Sequence, residues 1–333
     1  MLHDPQIIYY EEKALDYPLG KMLREKFSHL EWVPVENHNN IPFLRENPNT
    51  EFARMKQGIV VAVRKTHVYR PNHKTSDFLV PYTSSGCSAA CLYCYLVCNY
   101  NKCSYLRIFV NREQMLSKLI RTASRSEKEL VFEIGSNSDL VLENQLTGNL
   151  EWTIREFGKT SRGLLTLPTK FDMVEDLLKL PHNGRTIIRM SVNPQEIIRR
   201  VELGTSPLEK RVEALNRLCD AGYKVGLLIA PVVFLDNWRE LYTELAVYLK
   251  EHLSPEAKTA ASIEVIFMTY SYIHRMINND AFPNAVELYD KTRMTGRGQG
   301  KYWYKASVRE EGEQFFRTLL QEHLSGMEIC YIV

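Results

Sequence analysis

The sequence predicts an α/β protein built on a partial β/α barrel, and three observations carry that expectation. From "GIVVAVRK" onward, short apolar β-rich runs alternate with amphipathic stretches, a pattern that builds a parallel sheet covered by helices. The length and number of these runs suit a complete or partial barrel, in which functional groups gather at the C-terminal ends of the strands. Chemically distinctive residues fall at such ends: Ser136, Ser138 and Asp139, then Lys170, then Ser191 and Asn193, then Pro231.

Taken in order, the first 55 residues read as a cap. "EEKALDYPLGKMLREKF" has helical spacing broken at Pro18 and Gly20, and "ENHNNIPFLRENPNT" reads as loop. Strands are expected in "GIVVAVRK", "LVFEIGS", "RGLLTLPTK", "TIIRMSV", "KVGLLIAPVV" and "SIEVIFMTYS". Helices are expected in "NREQMLSKLIRTASR", "GNLEWTIREFGK", "FDMVEDLLKL", "PLEKRVEALNRLCDAG" and "NWRELYTELAVYLKEHL". "KTRMTGRGQGKYWYKASV" is basic, glycine-punctuated and aromatic, like an exposed hairpin; a helix in "EEGEQFFRTLLQEHL" and a closing strand in "MEICYIV" follow. The expected division is a cap over 1–55, a barrel over 56–290, and a hairpin, helix and strand over 291–333.

With 44% hydrophobic residues in 333, the chain can bury a sizeable core. Its 42 basic and 40 acidic residues leave a net charge of +2, which neither demands nor excludes nucleic acid. No run of 18 apolar residues occurs, and "MLHDPQIIYYEEK" carries charge where a signal peptide needs apolar sequence. A cytoplasmic, monomeric protein without membrane contact is expected. Five of its seven cysteines lie between Thr83 and Cys103. In a reducing compartment such clustering favours a metal, a cluster or catalysis over disulfides. Cys219 and Cys330 sit among apolar neighbours and read as core thiols. The nine histidines form no ligand motif, Asp139 suits a helix cap, and Trp152 and Phe157 read as core.

Cys87, Cys91 and Cys94 form C-x3-C-x2-C. A structural zinc site is closed by four ligands, usually in two C-x2-C pairs or with histidines, and no second pair exists. A cubane iron–sulfur cluster held by three thiolates keeps one iron open for a ligand. With the aromatic Tyr93 before its last cysteine, the motif resembles the signature of radical SAM enzymes. That likeness implies a [4Fe–4S] cluster whose open iron chelates S-adenosylmethionine. One electron then releases a 5′-deoxyadenosyl radical that takes hydrogen from a substrate.

The wider chain resembles the spore photoproduct lyase family. The likeness runs through "GIVVAVRKT", "GCSAACLYCYL", "YLRIFVN", "FEIGSNSDLV", "LTLPTK", "RMSVNPQEIIRRVELGTSPLEKRVEAL", "GYKVGLLIAPV" and the ends of "GKYWY…EICYIV". It implies a (β/α)6-type barrel of the radical SAM kind, and repair of the thymine dimer that ultraviolet light makes in spore DNA. Residue by residue, it makes Cys87, Cys91 and Cys94 the cluster ligands. Ser138, Lys170 and Ser191 would contact the methionyl part of SAM, and the Ala230 backbone the adenine. Tyr95, with Tyr93, would lie on the hydrogen-return path. Double-stranded DNA with a thymine lesion is the implied partner, with flavodoxin or ferredoxin as reductant.

One departure stands out. The family's hydrogen-donor cysteine is replaced by Ser136 in Ser136-Asn137-Ser138-Asp139. A thiol S–H is weak enough to quench a carbon radical and an alcohol O–H is not. Three readings follow: a donor relocated to Cys98 or Cys103, a paralogue acting on another nucleotide or small molecule, or an engineered or inactivating change. Arg293, Arg297, Lys301, Tyr302 and Tyr304 of the basic aromatic segment are the candidate DNA contacts, where a lesion must be extruded from the duplex.

Overall fold

The structure, a computed structural model, describes residues 5–99 and 105–333. In chain order its strands are β1 (Ile7–Tyr10), β2 (Glu31–Pro34), β3 (Gly58–Ala62), β4 (Arg70–Pro71), β5 (Phe78–Leu79) and β6 (Ser84–Ser85). Next come β7 (Ala90–Cys91), β8 (Leu106–Phe109), β9 (Val131–Glu133), β10 (Leu164–Thr169), β11 (Thr186–Val192) and β12 (Glu202–Leu203). The last six are β13 (Lys224–Val232), β14 (Ser262–Phe267), β15 (Thr269–Ser271), β16 (Met294–Gly296), β17 (Lys301–Tyr304) and β18 (Ile329–Ile332).

The chain forms two compact units. The first comprises Met1–Ala89, Leu96–Leu167 and Lys179–Ile187; the second comprises Ala90–Tyr95, Pro168–Leu178 and Ile188–Val333.

In the first unit, one sheet runs β2-β1-β3-β8-β6. The first 55 residues thus supply strands as well as the expected helix. Ile8, Ile59, Val61, Leu106 and Ile108 bury one face of the sheet against Ala14, Leu19 and Leu23. Pro18 opens the helix Pro18–Lys26, where its missing N–H is not needed. Gly20 lets that helix lie on the preceding turn, because a Cβ there would stand 1.8 Å from the Ala14 carbonyl oxygen. The expected loop contains a short helix, Pro42–Glu46, again opened by a proline. Neighbouring strands β9 and β10 pair in parallel, Leu165 opposite Phe132.

In the second unit, β13 and β14 pair in parallel with Leu227 opposite Ile263, and β18 joins β14 in the same direction. The expected helices form over Leu208–Asp220, Trp238–His252 and Ala306–His323, each burying an apolar stripe. The expected hairpin also forms: β16 and β17 pair antiparallel, and β15 adds a third strand on the other side of β17. "FDMVEDLLKL" departs from expectation. Only Glu175–Leu177 winds, as a 3-10 turn. Phe171, Val174 and Leu177 are buried at a spacing of three, which suits 3-10 winding better than 3.6-residue turns. Cys330 departs too: it is exposed, on the outward side of β18, whereas Cys219 is half-buried. Phe157 is fully buried as expected, while Trp152 is half-buried with Arg112 stacked 4.5 Å over its ring. Among the described residues, no helix is long and apolar enough to cross a membrane.

Candidate active site

The second unit holds the loop Ala90–Tyr95. Strand β7 pairs antiparallel with β12, so that Cys91 lies opposite Glu202 and Ala90 opposite Leu203. The Leu92 N–H donates to the Val201 carbonyl at 2.9 Å, and Asn278 Nδ2 donates to the Leu92 carbonyl at 2.8 Å. The Cys94 N–H closes a turn onto the Cys91 carbonyl at 3.1 Å. Main-chain bonds and the Asn278 side-chain amide therefore fix the turn bearing two of the three motif cysteines. Both are half-buried thiols, free of disulfides. Tyr95 is 48% exposed.

Beside this turn lies a buried ionic knot. Glu202 is fully buried, and its Oε1 accepts from Lys170 Nζ at 3.1 Å, from Asn193 Nδ2 at 2.8 Å and from the Tyr93 hydroxyl. Its Oε2 stands 2.7 Å from Nη2 of Arg211, which is equally buried. Burial alone would raise the Glu202 pKa; the charges of Lys170 and Arg211 reverse that and pull it down to about 2. Glu202 is therefore ionised at neutral pH. Burial and the Glu202 charge push the Tyr93 phenol well above its ordinary value, so Tyr93 stays a neutral donor.

Lys170 Nζ also donates to Ser191 Oγ at 2.5 Å and to the Ala230 carbonyl at 2.8 Å, which accepts from Ser191 Oγ at 2.9 Å as well. Lys170, Ser191 and Ala230, drawn from three strand ends, thus meet in one cluster. Arg211 Nη1 fixes the Ser191 carbonyl at 3.0 Å, and Asn193 Nδ2 fixes that of Pro231 at 3.2 Å. Glu202 and Arg211 were invisible to sequence reasoning. Glu202 stands alone in "RRVELG", and Arg211 looks like one more charge on an amphipathic helix.

In the first unit, Gly86 forms a parallel bridge with Ser138, and its N–H donates to the Asn137 carbonyl at 2.8 Å. Gly86 has φ of 83°, a conformation that lets the chain turn into Cys87. The Cys87 carbonyl accepts from Lys56 Nζ at 2.6 Å, and its sulfur accepts from the Ala89 N–H at 3.4 Å. Ser136 is half-buried. The Ser138 hydroxyl is buried and, among the described residues, has no hydrogen-bond partner. Asp139 caps the helix Leu140–Thr147 by accepting from the Leu142 N–H at 3.2 Å. Of Cys98 the structure describes the backbone, within the helix Leu96–Asn99; its side chain and all of Cys103 lie outside the described residues.

The basic aromatic hairpin divides. Tyr304 is 3% exposed and its hydroxyl accepts from the Phe234 N–H at 3.0 Å, which places it in the core and away from any stacking surface. Arg293 is held by the Phe234 carbonyl at 2.6 Å and by Asp236 at 3.2 Å. Lys301 is exposed, Tyr302 meets Tyr289 at a tilt of 57° with ring centroids 4.6 Å apart, and Arg297 lies 4.5 Å over the Trp303 ring.

A family model described as "Spore photoproduct lyase" matches residues 3–333. The chain belongs to the spore photoproduct lyase family. It is 33% identical over 328 residues to spore photoproduct lyase of Bacillus subtilis (strain 168), covering 94% of this chain and 95% of that one. It is 30% identical over 335 residues to the Clostridium acetobutylicum lyase, covering 98% of both. A solved spore photoproduct lyase variant with bound AdoMet and dinucleoside spore photoproduct superposes with a TM-score of 0.91 at 29% identity, over 99% of each chain. The fold is accordingly a partial β/α barrel of the radical SAM kind. The chemistry of the family's cofactors fits this chain. Three thiols outside any disulfide suit iron, and the Ser138 hydroxyl, without a hydrogen-bond partner among the described residues, suits a polar ligand group.

Proposed function

We propose that this chain is a radical SAM lyase that repairs the spore photoproduct, a thymine lesion of DNA. The observation that carries the reading is the knot joining Lys170, Ser191 and Ala230 around a buried anion. Bound together, the [4Fe–4S] cluster and SAM supply reductive cleavage of a sulfonium and hydrogen abstraction from the substrate. Cys87, Cys91 and Cys94 would hold the cluster, and Ser138, Lys170 and Ser191 the methionyl group.

The residues of the chain do the positioning. Lys170 has three N–H donors, all engaged by Ser191, Glu202 and Ala230. A carboxylate would take the place of Ser191 or Ala230, the two neutral acceptors, on an ammonium already oriented and partly desolvated. Glu202 pairs with that ammonium at 3.1 Å, and Arg211 shares the same carboxylate. Both lone pairs of the Ala230 carbonyl are engaged, so adenine contact there requires Lys170 or Ser191 to release it. Tyr93 holds its hydrogen toward Glu202; the exposed Tyr95 is the better placed of the two to meet a substrate. Lys301, Arg297 and Tyr302 are the hairpin residues with faces left for DNA, and an acidic protein such as flavodoxin or ferredoxin would deliver the electron. We place the protein in the cytoplasm as a monomer.

Ser136 favours a second reading, the same chemistry on a different nucleotide or small-molecule substrate, because its O–H cannot return hydrogen to a carbon radical. One experiment separates them. The anaerobically reduced protein with SAM and synthetic dinucleoside spore photoproduct should yield thymidine, and Cys91→Ala should abolish both this and SAM cleavage. SAM cleavage without thymidine formation would select the second reading.

A further inference from the structure

The first unit contains a cavity of about 270 Å³ that takes no part in the chemistry above. Its wall is formed by the loop Asn37–Asn39, the stretch Arg64–Thr66 beyond β3, Ser85 of β6, and Arg107 and Phe109 of β8. Three of these residues are permanent cations: Arg64, Lys65 and Arg107.

Each cation has a defined place. Arg107 is 4% exposed, lies directly across the ladder from Ser85, and donates from Nη1 to Asn39 Oδ1 at 2.7 Å. The Arg64 guanidinium sits 3.8 Å over the Phe109 ring and donates from Nε to the Tyr82 carbonyl at 2.8 Å. Carbonyl, amide and ring groups are among the partners that orient these two guanidinium groups. Lys65 is exposed, and among the described residues it has neither a hydrogen-bond nor an ion-pair partner.

Glu11 accepts from the lining residue His38, through Nδ1 at 2.8 Å, and from the N–H groups of His38 and Val63 at 3.2 Å each. Burial lowers the His38 pKa, Glu11 opposes that, and the charges of Arg107 and Arg64 push it down further. A positive field therefore reaches the cavity wall. That field excludes a metal cation. The volume is ample for a single oxyanion and lies below that of sites for drug-sized molecules. Two guanidinium forks with flanking amide and hydroxyl groups match the several oxygens of a tetrahedral anion.

We propose that this cavity is a second binding site of the protein, one that takes a phosphate group through Arg64, Lys65 and Arg107. The phosphate belongs either to a nucleic-acid strand or to a free small anion. Ser85 lies two residues before Cys87, so an occupant would sit at the root of the cysteine loop. The site needs neither iron nor SAM, so its failure would leave the lyase reading untouched.

The test is calorimetric titration of the full chain with inorganic phosphate, with a thymidylate decamer, and with its uncharged methylphosphonate analogue. Phosphate should bind, Lys65→Gln should weaken it about tenfold, and Arg64→Gln should do at least as much. If a strand is the source, the decamer competes with phosphate, and Lys65→Gln lowers its salt slope by about one. If the source is a free anion, phosphate binds without competition from the decamer. The uncharged analogue should not compete in either case. Circular dichroism establishes that both variants are folded. The proposal is overturned if phosphate does not bind, if neither variant changes its affinity, or if polyglutamate binds there while phosphate does not.

Discussion

Two buried glutamates, one in each unit, meet opposite fates. Glu143 in the first unit is fully buried and receives hydrogen bonds from Thr147 and Asn149 at 2.7 Å each. Burial dominates, and its carboxyl is raised to about 7. Glu202 in the second unit is just as buried, yet it sits between Lys170 and Arg211 and falls to about 2. Hydroxyl and amide donors soften the cost of burying an anion; full positive charges reverse it. A carboxylate inside this protein is thus ionised by its neighbours and not by its depth.

The contrast can be broken most forcefully at Glu202. Glu202→Gln leaves Lys170 and Arg211 buried without their counter-ion. It should cost about 3 kcal/mol or more in denaturant unfolding at pH 7. A loss below about 1 kcal/mol would mean that water already solvates the two cations.

The next largest effect concerns the sign of the pH dependence. Glu143 has a folded pKa above its ordinary 4.5, so its contribution to stability is complete below that value and is lost as pH rises through about 7. Glu202 has a depressed folded pKa, so its contribution is complete above 4.5 and is lost as pH falls through about 2. Glu143→Gln should therefore match the parent near pH 5 and exceed it near pH 8 by on the order of 2 kcal/mol. Parallel stability curves for the two proteins from pH 5 to 8 would refute the assignment.

The smallest effect sharpens the picture of Glu202. Tyr93→Phe removes one donor to the ionised carboxylate and should cost about 1 kcal/mol at pH 7. It should also shift the acid limb of the stability curve to higher pH.

Much of this architecture was legible in the chain. Alternating β-rich and amphipathic runs gave the parallel strands and their helices, and the glycines of "TGRGQGK" gave the hairpin. C-x3-C-x2-C pointed to the cysteine loop, and Lys170 and Ser191 do meet. Glu202 stayed hidden because two of its partners, Lys170 and Tyr93, are 32 and 109 residues away, and neither periodicity nor spacing reports such contacts. "FDMVEDLLKL" misled because apolar residues three apart serve a 3-10 turn as well as an α-helix. Cys330 misled because its apolar neighbours in sequence alternate across a strand, leaving the sulfur outside.

The pairing of Cys91 with Glu202 reaches beyond this molecule. A designer wishing to transplant the sulfur-bearing loop into a new scaffold could not lift it out as one contiguous peptide. Its backbone is zipped to a remote stretch whose side chain also anchors the ammonium, so the portable module comprises at least two separate pieces of polypeptide, moved together in register.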